Sequence, residues 1–203
     1  GKKSESIMVA NLSNSPLKLT FADVSPFLSL SVSPNPIPAR GTAEVTYTIT
    51  ADRSLWGKNY YWATPVVNGK TYTSSEGDKK IGFWAYTRED FSGVSADDKR
   101  NGPRPTFKES TYTFGKVKKG KTVTAEFTFK NDGKQPFKIY KVDADTDITS
   151  GSIPVAAPGE SVTFKVGLDT TDLPKGESLT IITLTTNSPL RPIVNIFISG
   201  YIE

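Results

Sequence analysis

The sequence contains one long internal repeat. Residues 7–20 align with residues 127–140, which places Asn11 against Asn131 and Pro16 against Pro136. A repeat of this length indicates two copies of one domain rather than a solenoid of short units. Three more blocks follow in the same order at offsets of about 115 to 120 residues, namely 38–49 with 156–168, 57–69 with 176–188 and 85–89 with 200–203.

Each copy is built from short runs in which apolar and polar residues alternate, and the runs are bounded by Gly, Pro, Asn or Asp. Clear examples in the second copy are SVTFKVGL at 161–168 and IVNIFIS at 193–199. Asp132 and Gly133 form a strong hairpin signal, and no stretch shows a convincing helical period. The chain is therefore predicted to be all-β, with two tandem immunoglobulin-like antiparallel β-sandwich domains of roughly 100 residues each.

The two predicted domains are not equivalent. We assign residues 1–88 to the first domain, residues 89–105 to a charged linker and residues 106–203 to the second domain. The second copy opens with STYTFGKVKKGKTV, a strand and turn that have no counterpart in the first copy. We expect the first domain to lack its first strand and to carry an extended final hairpin at 66–83. An open sheet edge of this kind is prone to pair with another strand.

The chain has no histidine and no cysteine. A Ser-His-Asp or Cys-His arrangement is therefore impossible, and zinc loses both of its usual ligand types. The remaining carboxylates and lysines form no catalytic constellation, so we predict a protein that is not an enzyme and that uses no cofactor. The net charge of +4 is spread along the chain without an aromatic–basic RNA motif, so nucleic acid is not an expected partner.

The second copy resembles bacterial Ig-like domains of unknown function that are related to the ASH (abnormal-spindle/Hydin-type) and major-sperm-protein sandwiches. Many members carry a Cys-Gly-Cys segment soon after the PFKI strand, whereas residues 142–151 contain no cysteine here. The resemblance covers residues 110–203 and implies the fold. It rests on Phe114-Gly115, Val117, Gly120, Phe127, Phe129, Asn131, Gly133, Pro136-Phe137-Lys138-Ile139, Pro158-Gly159-Glu160, Asn187, Pro189 and Gly200.

The same resemblance bears on location and partners. Domains of this kind usually occur in tandem in envelope, secreted or surface proteins of bacteria. It implies a periplasmic, cell-surface or secreted protein whose signal peptide or lipid anchor has been removed from this chain. A protein or polysaccharide of the cell envelope is the expected partner. No apolar run approaches the roughly 20 residues of a membrane-spanning helix.

The candidate ligand-binding residues are the aromatic side chains Trp56, Tyr60, Trp62 and Tyr72 of the first domain. On a strand, Tyr60 and Trp62 point to one face and Tyr61 to the other. The repeat aligns Ala63 with a core position, so Tyr60 and Trp62 are predicted on the outer face. There they suit sugar rings or a protein hot spot. The alternative is that they pack against the extra hairpin or against the second domain.

Asp143, Asp145 and Asp147 alternate along the second copy. Alternate carboxylates are able to share a hard cation such as calcium, but the spacing does not match an EF-hand loop. The three aspartates are therefore a weak candidate for a metal site. The alternative is that they form a solvated acidic loop.

The leading hypothesis is a non-catalytic tandem Ig-like protein of the envelope that binds or positions another macromolecule. One alternative is a carbohydrate-binding module that uses the aromatic residues of the first domain. Another is a chaperone-like module that donates or accepts a β-strand at a sheet edge.

Overall fold

A computed structural model describes residues 1–74 and 77–203, and of residues 74 and 78 it describes the backbone alone. Ser75 and Glu76, which belong to the predicted long hairpin, lie outside the described residues. The chain divides into two compact units, Gly1–Thr87 and Arg88–Glu203, called domain one and domain two below. No helix among the described residues has the length and apolar character needed to cross a membrane.

Domain one is built from two antiparallel sheets and a two-stranded hairpin. One sheet has the order β1-β4-β3, and in the other β5 pairs with β2, β6 and β9. The small hairpin is β7-β8. The strands are β1 (Lys2–Ala10), β2 (Leu19–Ala22), β3 (Leu28–Ser33), β4 (Thr42–Thr50), β5 (Gly57–Val67), β6 (Lys70–Thr71), β7 (Thr73–Ser74), β8 (Gly77–Asp78) and β9 (Ile81–Thr87).

Domain two contains one short helix and two four-stranded sheets with the orders β10-β12-β15-β14 and β11-β17-β16-β13. All its strand pairs are antiparallel except β11 with β17, which is parallel. The elements are α1 (Ala96–Asn101), β10 (Pro105–Phe107), β11 (Thr111–Val117), β12 (Thr122–Asn131), β13 (Ile139–Ala144), β14 (Ile148–Ser150), β15 (Ser161–Asp169), β16 (Gly176–Thr186) and β17 (Ile193–Ile202).

The cores follow from the period-2 alternation of the strands. In β12, every second residue from Val123 to Asn131 is buried, and β15 shows the same pattern from Val162 to Leu168. The rings of Phe127 and Phe164 meet between these strands at 5.8 Å. Domain one has smaller apolar clusters around Tyr61 and Val45. These observations confirm the predicted all-β class and the tandem Ig-like sandwiches.

The internal repeat extends to single hydrogen bonds. The buried side-chain amide of Asn11 donates to the carbonyl oxygen of Ile37 at 3.1 Å, and that of Asn131 donates to Ala156 at 3.0 Å. Isolated antiparallel bridges connect Leu17 to Ile37 and Phe137 to Ala156. The repeated motifs therefore mark a shared corner at which two strands are joined.

Domain two has two strands, β10 and β11, for which the described residues of domain one show no counterpart. β10 pairs with the outer edge of β12, and β11 pairs with the outer edge of β17. In domain one, β1 is the equivalent of β12, and β9 is the equivalent of β17. Among the described residues, β1 pairs only with β4 and β9 pairs only with β5. Both outer edges of domain one are therefore open in the described part of the chain.

The predicted linker at 89–105 contains structure that the sequence analysis did not anticipate. Its middle forms α1, and the Oγ of Ser95 caps that helix by accepting a hydrogen bond from the backbone N–H of Asp98 at 3.1 Å. A six-residue helix is too short to produce a hydrophobic period, so its main sequence signal is the cap.

The last four residues of the predicted linker belong to domain two. Gly102, Pro103 and Pro105 are buried. The Oγ of Ser188 donates to the carbonyl oxygen of Pro103 at 2.6 Å, and the backbone N–H of Arg104 donates to the Oδ1 of Asn131 at 3.2 Å. These residues therefore lead directly into β10, which begins at Pro105.

Candidate functional site

The outer face of the β5–β9 pair carries a cluster of aromatic rings. Along β5 the burial alternates, so Tyr61 and Ala63 lie in the core whereas Tyr60 and Trp62 are 55% and 48% exposed. This is the side-chain placement that the repeat alignment predicts. Trp84 of β9 lies directly opposite Tyr60 in the ladder and is 59% exposed. We call Tyr60, Trp62 and Trp84 the aromatic face.

The rings of the aromatic face have a defined geometry. The planes of Tyr60 and Trp62 are parallel to within 4°, and their centroids are 6.3 Å apart. The ammonium of Lys58 lies 5.2 Å from the centroid of Tyr60 and 5.6 Å from that of Trp84. The ammonium of Lys3 lies 5.9 Å from the ring of Trp84. Cation–π attraction of this kind holds the rings and the lysines in one cluster.

The other two predicted ligand-binding residues are Trp56 and Tyr72. Trp56 precedes β5 and is partly buried. Tyr72 is 54% exposed but lines an apolar cavity together with Pro65 and Val67. The cause is the pairing of β6 with the end of β5, which carries Tyr72 away from Tyr60.

Trp84 and Lys58 belong to the site although the sequence analysis did not select them. Trp84 shares its face with Tyr60 because β5 and β9 are antiparallel neighbours with Tyr60 opposite Trp84. The sequence does contain a signal for this placement. Trp84 lies between Phe83 and Ala85, and strand alternation puts it on the face opposite to these two core residues. Lys58 was detectable in the same way, two positions before Tyr60.

The structure does not bring the three aspartates of the weak metal candidate into one site. Asp143 ends up in β13, where its carboxylate forms an ion pair with the Nζ of Lys141 at 3.2 Å. Asp145 and Asp147 are exposed in the turn that follows. Within the described part of the chain, no group of three or more Asp or Glu residues is arranged to hold a metal ion.

A second unusual feature lies on the β1–β4 pair of domain one. The hydroxyl of Tyr47 donates a short hydrogen bond to the carboxylate of Glu5, and Lys3 forms an ion pair with the same carboxylate at 3.1 Å. The hydrogen bond from Tyr47 and then the contact with Lys3 hold the pKa of Glu5 below its usual range. The hydrogen bond to Glu5 raises the pKa of Tyr47. The open side of this domain therefore carries a polar network.

Replacing Tyr47 with phenylalanine is expected to raise the pKa of the Glu5 carboxyl toward its usual value, because the largest cause of the depression is removed. Since the folded-state pKa lies below the unfolded one, the contribution of Glu5 to stability is present above the unfolded pKa and is lost as the pH falls through the folded pKa. NMR titration of the side-chain carboxyl carbon measures the change. Tyr60→Phe is the matched control, and an unchanged Glu5 pKa in Tyr47→Phe contradicts the assignment.

The aromatic face has the chemistry of binding. Exposed Trp and Tyr rings offer apolar, polarisable surfaces with a polar edge, and they are enriched where proteins contact ligands and partners. Beside the rings, Lys3 forms an ion pair with Glu5, which is hydrogen-bonded to Tyr47. The arrangement is suited to contact with a ligand ring.

Parts of the chain are similar to known proteins. The family model "Protein of unknown function (DUF1573)" matches residues 105–202. A structure of a protein of unknown function from Porphyromonas gingivalis W83 is 17% identical, covers 99% of this chain and 91% of its own, and superposes with a TM-score of 0.67. The ASH/PapD-like domain of human CEP192 is 8% identical over 59% of this chain and 97% of its own, with a TM-score of 0.40. No curated protein matches the chain.

The family match falls on domain two, which is the copy in which the sequence resembles Ig-like domains of unknown function. The likeness to the P. gingivalis structure, at 17% identity, concerns the fold and spans both domains. This chain is therefore a tandem Ig-like β-sandwich protein whose second domain matches a family of unknown function.

Proposed function

We propose that the chain is a non-catalytic binding protein of the bacterial cell envelope or of secreted material, and that domain one binds polysaccharide through its aromatic face. The observation that carries the proposal is the pair of parallel, half-exposed rings of Tyr60 and Trp62, with Trp84 beside them. The envelope location is supported by the resemblance of domain two to bacterial surface domains.

A polysaccharide suits this face better than a protein hot spot does. Hot-spot side chains are enclosed in desolvated pockets and surrounded by contacts that exclude water. The rings here lie open to solvent, and the ammonium groups of Lys58 and Lys3 lie beside them. A sugar ring presents C–H bonds to an aromatic face and hydroxyl groups to its rim, so it matches apolar rings bordered by donors.

The test is affinity electrophoresis of the full chain in gels that contain plant, fungal or bacterial polysaccharides, followed by calorimetry on the one that retards it. Trp62→Ala is expected to cost about 2 kcal/mol of binding free energy, or about thirtyfold in affinity, because a central ring contact is lost. Tyr72→Ala is the matched control, since it removes an equally exposed aromatic residue that lies off the face.

The proposal fails if no polysaccharide retards the chain, or if Trp62→Ala binds as tightly as the parent. A protein that cross-links to a photoreactive residue placed at position 62, in the absence of any polysaccharide binding, assigns the face to protein recognition instead. Circular dichroism of each variant verifies that the fold is kept.

A further inference from the structure

The two domains carry different side chains on the same face of the sandwich. The repeat aligns Tyr60 and Trp62 of β5 with Leu179 and Ile181 of β16, and the strand alternation points all four side chains outward. Leu179 and Ile181 are 63% and 40% exposed, much as Tyr60 and Trp62 are. Domain two therefore shows what this face looks like without aromatic rings at these two positions, and the comparison isolates what is particular to domain one.

The charge at one end of the face is reversed between the domains. Lys58 lies two residues before Tyr60, and the repeat aligns it with Glu177 of β16. Its ammonium lies 5.2 Å from the centroid of Tyr60 and 5.6 Å from that of Trp84. Trp84 itself occupies the ladder position that Ser199 has in β17. This end of the face therefore combines two rings with a cation in domain one, where domain two has a hydroxyl group and an anion.

The other end of the face contains a notch. Trp62 lies opposite Gly82 in the β5–β9 ladder, whereas Ile181 lies opposite Phe197 in domain two. A Cβ at Gly82 would meet no atom of the described residues within 4 Å, so the neighbouring rings leave this position open. The backbone of Gly82 is the floor of the notch, which is bordered by Trp62 and Trp84. Glycine inside a strand often marks a place where a ligand approaches the backbone closely.

The two ends of the face suit different parts of one ligand. Trp62 presents an exposed ring beside the notch, and such a ring suits the C–H face of a sugar. Lys58 lies over the rings at the other end and suits an anionic group, with which an ammonium forms a charge-assisted hydrogen bond. Gly82 and Trp84 are two residues apart on β9, so the ends are about 7 Å apart. A carboxylate on the bound sugar, or on the next sugar of the polymer, reaches Lys58 from the notch.

We propose that the polysaccharide bound by the aromatic face is acidic, with carboxylate groups on its sugar rings, and that Lys58 and Gly82 determine this choice. The inference rests on the proposed function. Gly82 makes room for one sugar ring beside Trp62, and Lys58 binds the carboxylate. Lys3, which also forms an ion pair with Glu5 at 3.1 Å, adds to the positive end of the face.

The first test compares polymers that differ only in charge. Polygalacturonate, polyglucuronate and alginate are each measured beside the methyl-esterified form of the same polymer, by calorimetry on the full chain. At least one acidic polymer is expected to bind about tenfold more tightly than its ester, because a charge-assisted contact is added to the ring contact. The difference is expected to shrink as the sodium chloride concentration rises, since salt screens exposed charges.

Tryptophan fluorescence shows where the polymer binds. All three tryptophans lie in domain one, and Trp62 and Trp84 belong to the aromatic face. The acidic polymer is expected to change the emission of the parent chain. In Trp62→Ala the same polymer is expected to bind at least about tenfold more weakly, because the ring beside the notch is lost.

The second test transfers residue types from domain two to domain one. Lys58→Glu gives β5 the residue type that β16 has, and it is expected to weaken binding of the acidic polymer about tenfold while binding of the ester stays within about twofold. Gly82→Phe gives β9 the residue type that β17 has. It is expected to weaken both forms by about tenfold, because the added ring fills the notch. Lys134→Glu, at an exposed position of domain two, is the matched control for the change in net charge.

The possible results separate this inference from the proposed function. If the esters or a neutral polysaccharide bind as tightly as the acidic polymers, the inference is overturned and the proposed function stands. If no polysaccharide binds, both are overturned. Circular dichroism verifies that each variant keeps the fold.

Three further results would overturn the inference alone. The first is a ratio of acid to ester affinity that Lys58→Glu leaves unchanged, or that Lys134→Glu lowers equally. The second is binding by Gly82→Phe that is as tight as that of the parent chain. The third is equally tight binding of poly-L-glutamate, which carries carboxylates without sugar rings and would assign the face to acidic polypeptides.

Discussion

Replacing Asn131 with alanine is expected to lower the free energy of unfolding of domain two by about 3 kcal/mol. The side chain is buried and joins three segments of the domain. Its Nδ2 donates to the carbonyl of Ala156 at 3.0 Å, and its Oδ1 accepts from the N–H of Gly133 at 3.0 Å. Both partners are buried, and each buried group left unpaired costs about 1–3 kcal/mol.

Urea unfolding followed by circular dichroism measures this loss. The tryptophan fluorescence comes from domain one alone and separates a loss there from a loss in domain two. Asn187→Ala is the matched control, because the hydrogen bonds of Asn187 to Lys138 and Pro136 are exposed, so water replaces them. The role given to Asn131 is contradicted if Asn131→Ala lowers the free energy of unfolding by no more than Asn187→Ala does.

Replacing Gly200 with alanine is expected to destabilise domain two by about 2–3 kcal/mol, since overpacking a filled site forces its neighbours to move. The new Cβ would lie within 2.3–2.5 Å of three ring carbons of Phe114. The ring of Phe114 has to leave, and β11 loses this one of its contacts with the core. The domain would then resemble domain one on this side.

A double-mutant cycle tests the cause. Phe114→Ala in the Gly200→Ala background is expected to recover more than 1 kcal/mol relative to the sum of the single changes, because the overlap is removed. Gly151→Ala is the matched control, since a Cβ at that position would meet no atom within 4 Å. Additive single and double changes would show that the ring and the glycine are not coupled.

The sequence was sufficient for the parts of the fold that depend on period and repetition. The alternation along β5 is enough to assign Tyr61 to one face of the strand and Tyr60 and Trp62 to the other, because strand side chains alternate between faces. The repeat placed Asn11 and Asn131 at equivalent positions, and both form the same corner. Both features can be predicted because one depends on neighbouring residues and the other is repeated within the chain.

The features that the sequence did not reveal depend on pairing between distant segments. Trp84 joins Tyr60 only through the pairing of β5 with β9. Tyr72 was grouped with them by proximity in the chain, but β6 turns it toward the cavity. The helix α1 was missed because six residues carry too little pattern. The sequence shows in outline that the first domain lacks a strand, but the edges left unpaired among the described residues appear only when both sheets are assembled.

The parallel pairing of β11 with β17 has a mechanical consequence. β11 begins near the N-terminal side of domain two, and β17 is its last strand. A pull on the two ends of the domain first strains the short β10 and then drives β11 and β17 past each other along their length. The hydrogen bonds between them then share the load instead of opening one after another, as they do when a hairpin is unzipped. Domain two is thus expected to resist a pull on its two ends by shear between β11 and β17.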